Sequence, residues 1–104
     1  MTTPQTRLQA GGIELDLLDS TVTVDGGDVH FSPKEFALLR LLMQHLGETV
    51  TRAAILGEIW DAPDRTRANI VDQYVSYLRK KLGGSEAGVR IVTERGVGFR
   101  LSET

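Results

Sequence analysis

Residues 66–82, TRANIVDQYVSYLRKKL, constrain this chain more than any other stretch. At about 100° of turn per residue, Val71, Val75, Leu78 and Leu82 fall on one line of a helix, flanked by Ile70 and Tyr74. Such a stripe has to be buried, so the helix must belong to a packed unit. The opposite side repeats the spacing with Asn69, Gln73, Ser76 and Lys80, bordered by Thr66 and Tyr77 at one edge and Arg79 at the other. Asn and Ser favour helix less than Glu or Lys, and a merely solvated face gains nothing from them. Amide side chains present a donor and an acceptor together, which matches the adenine edge in the major groove of duplex DNA, and Arg or Lys can neutralise phosphates. An ordinary amphipathic surface helix would show the same inner stripe, so the neighbouring segments decide between the two readings.

The chain has 104 residues, enough for one domain with one modest core. No apolar run approaches the roughly 18 to 20 residues of a membrane span, and the first ten residues lack the apolar centre of a signal peptide. A cytoplasmic location, away from any membrane, is the expectation. There is no cysteine, which removes disulfides and thiolate metal sites, and His30 and His45 stand in no ligand motif. No cofactor is expected. The formal charge of −2 is unevenly spread: residues 1–61 carry four basic and nine acidic side chains, whereas residues 62–101 carry eight basic and four acidic. A basic end on an acidic protein is an electrostatic footprint that the average hides.

Residues 1–6 are polar, with Pro4, and read as a disordered start or the end of a linker. From Arg7 to Phe31, segments RLQA, IELDLL, TVTVD and DVHF alternate apolar and polar residues between Gly-rich and Asp-Ser turns, which predicts short antiparallel strands. Their outward acids Glu14, Asp16, Asp25 and Asp28 would repel phosphate, so this sheet is expected to face away from any nucleic acid. Ser32-Pro33-Lys34-Glu35 is a dense helix start: an N-cap, proline at the first helical position, a capping box, and Phe31 with Phe36 as a hydrophobic staple. Phe36, Leu39, Leu42, Met43 and Leu46 would be its buried face, and Gly47 its stop. Thr51 caps a second helix expected to run to about Trp60, with Val50 and Ile55 as a staple and Ile55, Leu56, Ile59 and Trp60 inward. Pro63 and nearby charges keep residues 61–66 a connector. After the third helix, RIVT, ERGVG and FRL predict a hairpin with Arg95 near its tip.

Three helices, the third with a polar face, followed by a hairpin with a tip arginine, form the plan of a winged helix-turn-helix, an α+β fold. The segments FSPKEFALLRLLMQHLGETVTRAAILGEIW, NIVDQYVSYLRKKLG and IVTERGVGFRL, in this order, resemble the C-terminal effector domain of OmpR/PhoB-type response regulators of two-component systems, over about residues 7–102. The resemblance implies a four-stranded N-terminal antiparallel sheet, three helices and a C-terminal β-hairpin wing. It also implies binding to direct repeats in double-stranded DNA as head-to-tail pairs, with helix three in the major groove and the wing in the adjacent minor groove. By position, Asn69, Gln73, Tyr74 and Tyr77 would face bases, with Ser76 close by. Arg67, Arg79, Lys80 and Lys81 would hold phosphates, and Arg95 would enter the minor groove. The connector Asp61, Ala62, Pro63, Asp64, Arg65 and Thr66 corresponds to a loop that contacts RNA polymerase in some relatives.

The resemblance also implies a receiver domain in the full-length regulator and an upstream histidine kinase, while a lone domain of this size is expected to be monomeric. Two residues depart from the pattern. Tyr77 stands where many relatives have Arg, exchanging a charged contact for stacking or a methyl contact, and Glu94 puts a negative charge beside Arg95. A winged-helix protein-interaction module is the alternative, supported by the acidic sheet and the tyrosines of helix three. An enzyme is not expected, because no nucleophile with a base, carboxylate pair or ligand set stands out; Asp61 and Asp64 share a connector.

Overall fold

The computed structural model describes residues 6–60, 68–83 and 88–103. Four short strands come first: β1 (Arg7–Ala10), β2 (Ile13–Asp16), β3 (Thr21–Val24) and β4 (Gly27–Val29). They form an antiparallel meander in the order β1-β2-β3-β4, as the alternating segments predict. Register puts Ala10 opposite Ile13, and Leu15 opposite both Leu8 and Val22. Ala10, Ile13, Leu15 and Val22 therefore line one face, and all four are buried. Thr6 joins this sheet's edge, its carbonyl accepting from Leu17 N–H at 2.8 Å, so of the polar start only residues 1–5 lie outside the described residues.

Helix α1 (Pro33–Gln44) begins as its sequence dictates. Glu35 N–H donates to Ser32 Oγ, and Ser32 N–H donates to Glu35 Oε1 at 2.8 Å, closing the capping box. Phe36, Leu39, Leu42 and Met43 are buried as expected, Leu46 only partly, and Leu38 and Glu35 join the buried set. The helix ends at Gln44 with His45 as its C-cap, a little before the expected stop at Gly47, which takes a φ of +81° and donates to the carbonyl of Leu101 at 2.9 Å.

Two features of the middle of the chain differ from the sequence-based expectation. Thr49–Thr51 is a strand, β5, before Thr51 caps α2 (Arg52–Ile55) through Oγ1 and Ala54 N–H. The second helix reaches Trp60, but over Leu56–Trp60 it widens into a π-helical turn. Ile55 and Leu56 are fully buried, whereas Ile59 and Trp60 only pack against the edge of the core.

After α3 (Ala68–Leu82), strands β6 (Val89–Glu94) and β7 (Gly98–Glu103) form the hairpin, and β5 pairs with β7 to give a three-stranded sheet, β5-β7-β6. The close approach of β5 explains Gly98. A Cβ at this position would run into the backbone of Val50 and Thr51. Val71, Val75, Leu78 and Leu82 are all buried in one core with α1, the N-terminal sheet and the inner residues Val89, Ile91, Phe99 and Leu101 of the hairpin. The expected helix start at Thr66 lies outside the described residues.

Candidate nucleic-acid interface

With one line of α3 sealed in the core, its other side is fixed in place by packing rather than by its own contacts. Asn69, Gln73, Ser76 and Lys80 are exposed along that side, and Tyr77 beside them retains 43% of its surface. Tyr74 is half-buried, its ring edge-on to Trp60 (centroids 5.0 Å, 73°) and to Tyr77 (5.3 Å, 65°). Trp60 is held from beneath by Lys34, whose Nζ donates to the Ile59 carbonyl at 2.6 Å and lies 5.9 Å from the indole. Tyr74 thus acts in the structure as a link between the π-helical turn and the exposed face.

The cations of α3 divide sharply. Among the described residues Lys80 makes no ion pair, and at about 100° per residue it lies opposite the buried stripe. Lys81, one step round and also expected to hold phosphate, already has partners within the domain. Its Nζ donates to Glu35 Oε1 at 2.6 Å and to the His30 carbonyl at 2.8 Å, and it lies 5.1 Å from the Phe31 ring. That ammonium fastens the end of α3 to the start of α1. Burial by itself would raise the Glu35 carboxyl, but the donors from Lys81 and Ser32 and the Lys81 charge together hold it below its ordinary value of 4.5.

Arg79, on the other flank, is exposed, yet its guanidinium is engaged by the wing. Its Nε and Nη2 both donate to the Ile91 carbonyl, at 3.2 and 2.6 Å, and Nη2 donates to Thr93 Oγ1 at 2.8 Å. The guanidinium is a strut from helix to wing, a use to which the planar fork suits Arg and not Lys. Arg67 and the connector residues Asp61, Ala62, Pro63, Asp64, Arg65 and Thr66 lie outside the described residues.

The wing turns at Arg95, Gly96 and Val97, with Gly96 at φ +76° and Val97 N–H donating to the Glu94 carbonyl at 2.9 Å. Arg95 and Val97 are both exposed there. Glu94 does not face Arg95 uncompensated: Arg100 Nε donates to its Oε1 at 2.8 Å across the hairpin. Behind the surface, Arg52 donates to Asp72 at 3.0 Å and lies 4.6 Å from the Phe99 ring, joining α2, α3 and β7. The outward acids Glu14, Asp16 and Asp28 lie on the N-terminal sheet, two of them near Arg7, with Arg7–Glu14 at 3.0 Å. Among the described residues no group of three or more His, Cys, Asp or Glu is placed to hold a metal ion, and no helix is long and apolar enough to cross a membrane.

Comparison with known proteins agrees with this geometry. TrcR of Mycobacterium tuberculosis, a transcriptional regulatory protein, is 40% identical over 94 residues, 90% of this chain but only 36% of TrcR. The RstA DNA-binding domain of Klebsiella pneumoniae, solved in complex with the RstA box, matches with a TM-score of 0.84 at 27% identity, covering 94% of this chain and 98% of that one. DrrB of Thermotoga maritima, a response regulator described as an OmpR/PhoB homolog, matches with a TM-score of 0.80 at 27% identity, over 94% of this chain and 45% of DrrB. Residues 26–101 match the family described as "Transcriptional regulatory protein, C terminal". The chain belongs to that family, as a winged-helix effector domain of the OmpR/PhoB type.

Proposed function

We propose that this domain regulates transcription by binding double-stranded DNA in a sequence-specific manner, with α3 in the major groove and Arg95 of the wing in the adjacent minor groove. The observation that carries the reading is the exposed row Asn69, Gln73, Ser76 and Tyr77 on a helix whose opposite side is sealed in the core, beside a wing with an exposed arginine. RstA, a structural relative, was solved on its DNA box. Asn69 and Gln73 are the base readers, Ser76 assists them, and Lys80 with Arg67 holds phosphates. The acids on the N-terminal sheet favour an orientation with that sheet away from the duplex.

In the longer regulator, which this chain's match to 36% of TrcR suggests, the domain works in the cytoplasm behind a receiver domain phosphorylated by a histidine kinase. It binds direct repeats as head-to-tail pairs, is monomeric alone, and uses residues 61–66 toward RNA polymerase. The test is an NMR titration of labelled domain with an A·T-rich duplex at two salt concentrations. Amide shifts concentrated on α3 and around Arg95, weakening steeply with salt, are the expected result. Gln73→Ala should then cost about 1 to 3 kcal/mol at a single base pair and little elsewhere. Unmoved α3 amides at low salt, in a folded domain, would defeat the duplex reading.

A further inference from the structure

The base-facing row contains one residue whose chemistry differs from the rest. Asn69, Gln73 and Ser76 carry only hydrogen-bonding groups, whereas Tyr77 presents an aromatic ring as well as a hydroxyl. That ring is not loose. It meets Tyr74 edge-on at 5.3 Å, Tyr74 meets Trp60 edge-on at 5.0 Å, and Lys34 fastens the carbonyl beside Trp60. Tyr has only two side-chain torsions to fix, so a ring supported in this way reaches a partner at low entropic cost.

The major groove limits what such a ring can read. Its floor presents the N7, O6 and O4 acceptors, the N6 and N4 amino donors, and one apolar substituent, the C5-methyl of thymine. The faces of duplex bases are covered by their neighbours, so stacking is closed to Tyr77 while the helix is intact. We infer that Tyr77 is a specificity-determining residue that selects thymine by packing its ring against the C5-methyl group, with Tyr74 and Trp60 as positioning residues. The inference rests on the duplex-binding reading above and adds to it the chemical group recognised. Removing one methyl from such a contact corresponds to about a fourfold loss of affinity.

The experiment begins with selection of a preferred site from a randomised duplex pool by the domain. Each thymine of that site is then replaced singly by deoxyuridine, which removes only the methyl group. The expected result is one thymine per bound domain whose replacement weakens binding about fourfold for the wild type and for Tyr77→Phe, with no such effect for Tyr77→Ala. A site in which no thymine shows this dependence overturns the inference and leaves duplex binding intact. Equal damage from Tyr77→Phe and Tyr77→Ala overturns it too, by placing the contact at the hydroxyl. If the alanine variant folds poorly, Tyr77→Gln, which keeps a long side chain without the ring, takes its place and is expected to lose the thymine dependence likewise. A pool that yields no site overturns the duplex reading itself.

Discussion

The start of α1 and the outer face of α3 both carry charge, and they use it in opposite ways. At the α1 start, Glu35 is only 6% exposed and its carboxylate is met by Lys81 and by the Ser32 N–H, so its charge is answered within the protein. On the outer face and wing, Lys80 and Arg95 are exposed and make no ion pair among the described residues. Sequence proximity does not separate the two classes, since Lys80 and Lys81 are adjacent. A rotation of about 100° around the helix does, by aiming one at solvent and the other at the buried carboxylate. Charges answered internally hold the fold together, and charges left open are available to a polyanion.

This contrast breaks most visibly if the open cations are removed together. Lys80→Ala with Arg95→Ala should lower affinity for any duplex by about 100-fold at 0.1 M salt and flatten its salt dependence by up to about 2 in slope, with Tm unchanged. Fluorescence anisotropy across a salt series measures both. The answered charge behaves inversely: Glu35→Gln should cost about 2 kcal/mol of stability, lowering Tm by on the order of 10 °C, and leave the salt slope intact. Arg79→Lys sharpens the boundary, because it keeps the charge and loses the fork. If the strut is the role of Arg79, stability falls by about 1 kcal/mol in thermal melts and affinity falls with it; a phosphate ligand would tolerate the change.

The smallest effect is acid sensitivity. Because the folded Glu35 carboxyl sits below its ordinary value of 4.5, its contribution is fully present above that value and is lost as pH falls through the lower folded one. The Tm difference between wild type and Glu35→Gln should therefore narrow on acidification below about pH 4.5.

Much of this was legible in the residues. SPKE specified the α1 start down to its two reciprocal hydrogen bonds, because a cap is a local device. The 71, 75, 78, 82 spacing identified the buried line of α3, and alternation identified the four strands of the first sheet. What escaped depends on partners distant in sequence. Strand β5 is three residues long, and its pairing with β7 joins Val50 to Phe99, so its Thr-Val-Thr alternation had no local confirmation. Arg79 donates to a backbone carbonyl, a partner that every residue possesses and no motif records. Lys81 was readable in principle, since the wheel places it on the flank of the stripe, yet its carboxylate lies 46 residues earlier. The widening at Leu56–Trp60 has no signature we can identify in LGEIW.

The Arg79 strut has a geometric consequence. By fixing wing to helix, it would make the domain, docked as proposed, a caliper whose two jaws are set to the offset between one major groove and the minor groove next to it. A duplex whose local twist or groove width departs from that setting has to deform to be held, so base pairs touched by neither jaw should still influence binding.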